Sequence, residues 1–525
     1  MRSFDMKLTI LKGLLVPLFV LTSANALTKV QSDCNQELVD ALNQFALDLH
    51  RDLSTKNDDE NILFSPYNVA SAFLMVLLGS SGETSDSIAN VFHIPLATRN
   101  CVQSYRRCID DSINGHGAVV LNTVNRIFPA MTLNILPRFI ADVQRYYGAS
   151  ASIYPLDFKD TEQSRRIINE WIATITNNKL KNVIQPDNID TTTMIILVNA
   201  IYFKGAWKYK FPEDKTHKAK FFANKDTSTE VDMMVTESYF PYTNSPPSIL
   251  NAQIVELPYV GDTVSMIILL PNTRFGLADL DHKLTLATLK SELGYLYHNT
   301  NVTVSIPKFN INKRYKLNDN LKRLGMDHVF TDADFTKMTD YDRLTINEVI
   351  HEALIEVNEE GTEANAATVL RGARSGYTPP VKVTCDHPFL FFIRDIPTGA
   401  ILFWGRYAKP ESTEASAASS ARQHANFPKH LATHESRPDE KVTDVSTNTK
   451  ERSNEECKKN IKKCISKIIV DGENVETATR QERKKTDTFE RCIRKCKEEK
   501  MDLKCRRSCA KQTTKVDIET DRNKN

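Results

Sequence analysis

Arg374 is the residue whose type and neighbours most directly suggest chemistry in this chain. It is followed by Ser375 and Gly376. Trypsin-like proteases bind an arginine side chain by placing a carboxylate of their specificity pocket against the guanidinium group. The Arg374–Ser375 bond is therefore a good cleavage site for a protease of this type. The simpler alternative is that this arginine only keeps an exposed loop soluble.

The segment before Arg374 has the pattern of a β-strand where a surface loop is expected. Uncharged residues occupy every second position, namely Thr362, Ala364, Ala366, Thr368 and Leu370. The intervening set, which includes all the strongly polar residues, is Glu363, Asn365, Ala367, Val369 and Arg371. Period two is the spacing of one face of a strand, and a buried unpaired charge on such a face is costly. We interpret this segment as a loop that can become a strand.

The elements around this segment indicate a mixed α/β domain that ends near Pro410. Apolar residues at helical spacing predict an amphipathic first helix, with Leu38, Leu42, Phe45, Leu49 and Leu53 on one face. Strands are predicted at Met194–Phe203 and Val349–Val357, and in two hairpins, Ile254–Leu257 with Val264–Leu270 and Phe389–Ile393 with Ala400–Trp404. Further helices are predicted at Thr161–Asn178 and Leu317–Leu324.

Residues 1–26 have the features of a secretion signal. Lys7 and Lys12 precede the apolar run Gly13–Leu21, and Ala24-Asn25-Ala26 has the form of a cleavage site. The run is too short to span a bilayer, which disfavours a membrane anchor. Ten cysteines and the predicted glycosylation site at Asn301 agree with an oxidising secretory route. We predict a secreted, extracellular protein.

The composition changes after Pro410. The chain of 525 residues is 41% apolar and carries a net charge of +2. From Glu411 onward there are 27 Lys and Arg against 21 Asp and Glu, a net charge of +6. Residues 411–454 are predicted to be a flexible linker and residues 455–525 a basic, cysteine-rich tail. The tail's charge suggests anionic glycans or a membrane surface as partners, a solvated appendage being the alternative, and it does not by itself indicate nucleic acid.

Six cysteines of the tail are candidates for disulfide bonds: Cys457, Cys464, Cys492, Cys496, Cys505 and Cys509. The spacing of four within the last two pairs places each pair on one helix face, so a disulfide-linked antiparallel helix pair is one arrangement among fifteen connectivities. Zinc is disfavoured, because the segment lacks histidine and the compartment is oxidising. Cys101 and Cys108 are seven apart in a predicted helical region, too far to pair with each other, and would be free or pair elsewhere. Cys34 and Cys385 have no assignable partner. We expect neither a metal site nor a cofactor.

A series of motifs, in this order, resembles the serpin family over roughly residues 36–410. The motifs are NILFSP at 61–66, LVNAIYFKGAW at 197–207, IPKF at 306–309, LGM at 324–326, ADF at 333–335, EEGTEANAA at 359–367 and DHPFL at 386–390. The resemblance implies a serpin domain over residues 27–410. It also implies an α+β fold with three β-sheets, about nine helices and an exposed reactive-centre loop.

The resemblance further implies a mechanism and a set of site residues. A protease cleaves the loop, and the freed segment inserts into the large sheet before the acyl-enzyme is hydrolysed. The hinge would be Glu359, Glu360, Gly361, Thr362, Glu363, Ala364, Asn365, Ala366 and Ala367. The polar cluster beneath the parting sheet would be Ser65, Asn68, Asn199 and His351, with Trp207 at its upper end. Asn68 stands where the family usually has serine, which puts the rate of opening in question.

The family spacing from Gly361 places the cleaved bond after Ser375, one residue later than the chemistry of Arg374 favours. We predict cleavage of Arg374–Ser375 by a trypsin-like protease, with cleavage after Ser375 by an elastase-like protease, or after Arg371, as alternatives. The predicted protein is a monomeric, single-use inhibitor and not an enzyme. A non-inhibitory carrier or storage protein is one alternative hypothesis, and a serpin body that carries the tail as effector is another.

Overall fold

The computed structural model describes residues 36–55, 59–95, 102–103, 106, 119–147, 153–341, 344–360 and 379–411. The signal, linker and tail predicted above lie outside these residues, as do Cys34, Cys101 and Cys108. The boundaries predicted at residues 26, 410 and 454 therefore stay predictions.

The described part of the chain contains nine α-helices, besides helical residues at 102–103 and 106. They are α1 (36–54), α2 (Pro66–Gly79), α3 (Gly82–Val91), α4 (Pro137–Tyr147), α5 (Thr161–Ile175), α6 (Leu277–Lys283), α7 (Leu286–Gly294), α8 (Asn318–Arg323) and α9 (His328–Thr331). No helix among the described residues combines the length and apolar character needed to cross a bilayer.

The strands of the described residues are β1 (Ile62–Phe64), β2 (Val119–Pro129), β3 (Ile195–Gly205), β4 (His217–Phe222), β5 (Ser228–Asn244), β6 (Ala252–Pro258), β7 (Val264–Pro271), β8 (Tyr297–Pro307), β9 (Phe309–Lys316), β10 (Glu348–Val357), β11 (Val381–Thr384), β12 (Phe389–Asp395) and β13 (Ile401–Tyr407). Nine of them form one hydrogen-bonded sheet in the order β1-β13-β12-β7-β6-β5-β8-β11, with β4 also paired to β5. The other four form the sheet β2-β3-β10-β9.

The nine-stranded sheet consists of two parts that share the long strand β5. Residues 228–233 of β5 pair with β4 and residues 233–242 pair with β8, whereas residues 242–244 pair with β6. The ladder between β5 and β8 is irregular between Phe240 and Tyr242, at the point where the parts meet. Counted with the four-stranded sheet, these parts give three sheets. The predicted α+β fold with three sheets and about nine helices is confirmed.

The helix α2 forms the centre of the core. It packs against β2 and β3 of the four-stranded sheet and against β13 of the larger one. Twelve of its fourteen residues are buried. It begins with Pro66 at its first position, and the side chain of Ser65 accepts a hydrogen bond from the Asn68 N–H as its N-cap.

Most predicted elements agree with the structure, and one helix is shorter than predicted. Both hairpins are present, and β12 and β13 are almost entirely buried, as predicted from their uninterrupted apolar sequences. The helix predicted at 161–178 ends at Ile175. Asn177 and Asn178 adopt φ values of 49° and 60°, in the left-handed region that asparagine tolerates and that ends a helix.

Candidate functional site

The strand β10, which leads into the predicted loop, pairs with β3 in the middle of the four-stranded sheet. β10 pairs in parallel with β3 from Glu348↔Ile196 to Ile355↔Phe203, so no other strand separates them. A segment that continues from β10 and turns back would run antiparallel to both strands. Such a segment would replace one parallel ladder by two antiparallel ones, which are slightly more stable per residue. We call the β3–β10 junction the seam.

Beneath the seam the structure brings together the four predicted polar residues. His351 and Asn199 are register partners across the seam, and their side chains are hydrogen-bonded through Nδ1 and Oδ1. The Ser65 N–H donates to His351 Nε2 over 3.0 Å. Asn199 Nδ2 donates to the Asn68 carbonyl over 2.6 Å. All four side chains are buried, so the cluster joins both seam strands to the start of α2.

The partners of His351 determine its protonation state. Because the Ser65 backbone N–H can only donate, Nε2 must accept, and the ring proton is on Nδ1, where it reaches the Asn199 side-chain oxygen. The ring is fully buried, and this burial lowers the pKa of His351 to about 3. His351 is therefore neutral at physiological pH and acts here as a structural hydrogen-bonding group.

Asn68, the residue that departs from the family pattern, has a partner that the sequence did not reveal. Its Nδ2 donates to the Ala200 carbonyl over 3.1 Å, while its Oδ1 accepts from Asn125 Nδ2 over 2.7 Å. Asn125 also hydrogen-bonds with Asn199. The larger amide of Asn68 thus reaches β2, a strand that a serine hydroxyl is too short to bridge in the same way. No local signal singled out Asn125, because β2 also carries the polar residues Asn122, Thr123 and Arg126.

At its upper end the seam is held by Trp207. The indole Nε1 donates to the carbonyl of Asn358 over 2.9 Å, immediately after β10. The ring stacks on Tyr259 at 4.5 Å between centroids and 13° between planes. A Cβ added to Gly205 would lie 2.5 Å from Cδ1 of Tyr259, so this stack requires glycine at the end of β3.

Two of the predicted hinge residues lie within the described residues. The Glu359 carboxylate accepts from Thr216 over 3.1 Å and pairs with Lys308 Nζ at 2.8 Å. Burial by itself raises the pKa of Glu359, but the hydrogen bonds from Lys308 and Thr216 outweigh it, and the resulting pKa lies below the ordinary value. We call the Glu359–Lys308 pair the clasp. Lys308 was part of a family motif in the sequence, but its role at this position was not predicted.

The remaining predicted residues belong neither to the polar cluster beneath the seam nor to the clasp. Glu360 is exposed, and its N–H donates to the Asn358 side chain. Asn301 lies within β8, half-buried, with its Nδ2 3.3 Å from Glu237 Oε1. Cys385 is a buried free thiol. The hinge residues 361–367, the bond Arg374–Ser375 and the six tail cysteines lie outside the described residues. Within the described residues no group of three or more His, Cys, Asp or Glu side chains is arranged to hold a metal ion.

Comparison with known proteins agrees with this architecture. The family model of the serpins (serine protease inhibitors) matches residues 40–410. Leukocyte elastase inhibitor of Homo sapiens is 37% identical over 388 residues, which cover 71% of this chain and 100% of that protein. Serpin B3 of Homo sapiens is 36% identical over 392 residues, 71% of this chain and 99% of the relative.

Solved structures give the same result. Uncleaved ovalbumin matches with a TM-score of 0.64 and 27% identity, over 71% of this chain and 100% of that one. Maspin matches with a TM-score of 0.65 and 29% identity, over 72% and 100%. By the length of the family match and the full coverage of these relatives, the chain belongs to the serpin family, the serine protease inhibitors.

Proposed function

We propose that this protein is a secreted suicide substrate that traps a trypsin-like serine protease after cleavage at Arg374–Ser375. The observation that carries the proposal is the closed seam. β3 and β10 lie in parallel contact, with a hydrogen-bonded polar cluster beneath them and the clasp at their upper end. The seam is therefore a place where one more strand fits, next to the strand that leads into the loop.

The energy for the trap would come from new backbone hydrogen bonds. About a dozen of them, each contributing roughly 0.5–1.5 kcal/mol, amount to about 10 kcal/mol. The inward-facing residues of the loop, Thr362, Ala364 and Ala366, are uncharged and small, so they add no large desolvation cost. After cleavage the protease would remain bound as an acyl-enzyme on Arg374. The inhibitor is used once, so it is not an enzyme in the sense of turnover.

The trap is tested by mixing the protein with trypsin. We expect a complex of inhibitor and protease that survives SDS, together with a small C-terminal fragment whose sequence begins at Ser375. Nicking without a stable complex would contradict the trap and support the second candidate, a non-inhibitory serpin that serves as a carrier or storage protein.

Cleavage after Ser375 by an elastase-like protease is the second candidate for the target. Two observations favour it: the family spacing from Gly361 ends at Ser375, and relatives more than 35% identical are named leukocyte elastase inhibitors. A released fragment that begins at Gly376, and faster inhibition of elastase than of trypsin, would support this candidate against ours.

The other parts of the proposal concern compartment and tail. Secretion is supported by the signal-like residues 1–26, and glycosylation at Asn301 by its position in a strand with a half-exposed side chain. We expect the secreted protein to be a monomer, with the domain boundaries given above. The positive charge after Glu411 supports anionic glycans as an additional partner. Inhibition by residues 27–410 alone would show that the tail is not the effector.

A further inference from the structure

The proposed function does not use one cavity, which is lined by no residue of the seam or the clasp. It lies where the turn between β4 and β5, the start of α6 and the end of β13 come together, and its volume is about 510 Å³. Small-molecule sites are clefts of roughly 300–1,000 Å³. The cavity is therefore large enough for a ligand of the size of two fused rings with a side group.

One wall of the cavity is apolar. Phe275, Leu277, Ala278 and Pro388 line it, and Phe275 is 42% exposed although it is a large hydrophobic residue. A phenylalanine left open to solvent inside a concave surface provides a flat face for an apolar ligand. The part of the ligand against this wall should therefore be flat and apolar.

The charged groups of the cavity favour a negative ligand. Four cations line it, Lys225, Arg274, Arg406 and Lys409, against two carboxylates, Asp59 and Asp281. Because Arg274 is ion-paired with Asp386, the cavity keeps a surplus of one positive charge. Asn224 and Thr227 of the β4–β5 turn, with Thr229 near the start of β5, add further polar groups to the lining.

The partners of these groups show which charges remain for a ligand. Arg274 is paired with Asp386 at 2.6 Å, and Arg406 donates to the Glu60 carbonyl at 3.0 Å. Among the carboxylates, Asp281 accepts from His50 Nε2 at 3.0 Å. Lys225 and Lys409 form no ion pair with another residue of the described part. These two lysines are therefore the cations that can bind an anion without breaking an existing pair.

We propose that this cavity binds an amphipathic organic anion, with a flat apolar body against Phe275 and Ala278 and a carboxylate or sulfonate held by Lys225 and Lys409. The proposal is independent of the inhibitory mechanism. It concerns described residues only, and none of them belongs to the seam, the clasp or the predicted hinge.

The test uses three probes of nearly equal shape and different charge, with the full chain as protein because the chain continues past Glu411. The probes are 2-naphthoate, 2-naphthylmethanol and 2-naphthylmethylammonium, and binding is measured by titration calorimetry and by saturation-transfer NMR. We expect 2-naphthoate to bind at least tenfold more tightly than the neutral probe, and the ammonium probe to bind more weakly still. Equal affinity for the three probes, or preference for the cation, would overturn the proposal.

Variants locate the binding to this cavity. Ala278→Trp places a large ring at the apolar wall and should abolish binding of 2-naphthoate, and Lys225→Ala combined with Lys409→Ala should weaken it about fivefold or more. Lys220→Ala, which removes an exposed lysine of β4 that does not line the cavity, is the matched control and should bind as the wild type does. If Ala278→Trp does not fold, Phe275→Ala serves instead. Unchanged affinity in the wall variants and in the lysine double variant would contradict the assignment.

Discussion

At the scale of single residues, His351 is the side chain whose surroundings constrain it most. It accepts from one backbone N–H and donates to one amide oxygen, and no solvent reaches it. Protonation of Nε2 would place a second donor against the Ser65 N–H. The neutral ring is thus required by geometry as well as by burial, and the cluster beneath the seam depends on it.

Stability should therefore decrease in acid because of His351. Its folded pKa of about 3 lies below the ordinary value of 6.5, so the unfolded chain binds the proton first as the pH falls. The stabilisation is complete above pH 6.5, and we expect it to decrease by about 1.4 kcal/mol per pH unit down to about pH 3. The measurement is the free energy of unfolding in urea at a series of pH values, for the wild type and His351→Gln.

The variant should lack this part of the pH dependence, although its stability at neutral pH is lower. His217→Gln removes an exposed histidine and is the control, since it should keep the wild-type slope. A His351→Gln variant with the same acid slope as the wild type would contradict the role given to the buried ring.

Arg374 should determine which proteases are inhibited. We expect Arg374→Ala to lower the rate of trypsin inhibition at least a hundredfold, because the specificity pocket of trypsin then loses its ion pair with the bait side chain. Arg371→Ala, which removes another arginine of the same loop, should leave the rate within about twofold. Rates are measured by progress curves with a chromogenic substrate. The reverse order of the two variants would assign the bait to Arg371.

At the scale of elements, the two faces of β10 carry ionisable groups with opposite pKa shifts: the pKa of His351 is lowered, whereas that of Glu352 is raised. His351 faces the polar cluster, whereas Glu352, the next residue, faces the other side, where it accepts from Asn312 Nδ2 over 3.0 Å. Glu352 is almost fully buried, and this burial raises its pKa to about 7 despite that hydrogen bond. Above and below it in the strand, Glu356 pairs with Lys179 and Glu348 with Lys316.

Glu352 should make the protein less stable as the pH rises. A folded pKa of about 7 against an ordinary 4.5 means that the folded state keeps the proton longer. The stabilisation is complete below pH 4.5 and is lost by about pH 7, by up to about 3 kcal/mol. Between pH 4.5 and 6.5 this loss opposes the gain from His351, so the wild type should show a nearly flat stability there.

The variant Glu352→Gln should reveal the cancellation. It keeps an acceptor for Asn312 but cannot ionise, so its stability should rise steadily from pH 4.5 to 6.5. Glu356→Gln, which removes a carboxylate of the same strand face, is the control and should keep the flat region. Urea unfolding at intervals of half a pH unit is sufficient, and a flat curve for Glu352→Gln would refute the prediction.

The clasp should hold the upper end of β10 with about 1 kcal/mol, because Lys308 is half exposed and solvent weakens the pair. We expect Lys308→Ala and Glu359→Gln each to destabilise the native state, and their double variant to be less destabilised than the sum. The coupling energy from this double-mutant cycle, measured by urea unfolding, is the direct readout. Lys316→Ala, which removes the longer ion pairs of Lys316 with Asp187 at 3.2 Å and with Glu348 at 3.7 Å, is the control. Additive effects of the two clasp variants would show that the contact contributes nothing.

At the scale of the whole molecule, the seam can act only if the loop is able to enter it. Thr362 and Glu363 are adjacent, but period two places them on opposite faces of an inserted strand. Thr362→Arg buries a charge beneath the sheet, whereas Glu363→Arg leaves the charge in solvent. Thr362→Arg should therefore turn the inhibitor into a substrate, while Glu363→Arg should remain an inhibitor.

The measurement is the ratio of inhibitor consumed to SDS-stable complex formed with trypsin, together with the melting temperature of the nicked protein. We expect the ratio to rise at least tenfold for Thr362→Arg, and its nicked form to lose the increase in melting temperature expected of nicked wild type. Equal ratios for the two variants would mean that the segment does not insert with this register.

Local patterns in the sequence predicted most elements of the fold, whereas family motifs predicted the site. Hairpins, strands and the first helix follow from local periodicity and turn residues, and these agree with the structure except for strand ends, which differ by up to three residues. The helix predicted to reach Asn178 does not, because the left-handed backbone of Asn177 and Asn178 ends it, and such a backbone is not visible in apolar spacing. The four polar residues beneath the seam were predicted from family motifs, since they are separated by up to 286 positions along the chain.

The family, the order of the elements, the alternation in the loop and the candidate bait could all be predicted from the sequence, because each of them depends on residues that are neighbours along the chain. Four features became apparent from the folded structure alone: the tautomer of His351, the bridge from Asn68 to Asn125, the clasp and the cavity beside Phe275. The physical reason is the same in each case. A protonation state, an ion pair or a concave surface depends on groups that the fold brings within a few ångströms from distant parts of the chain, and no local pattern records that distance.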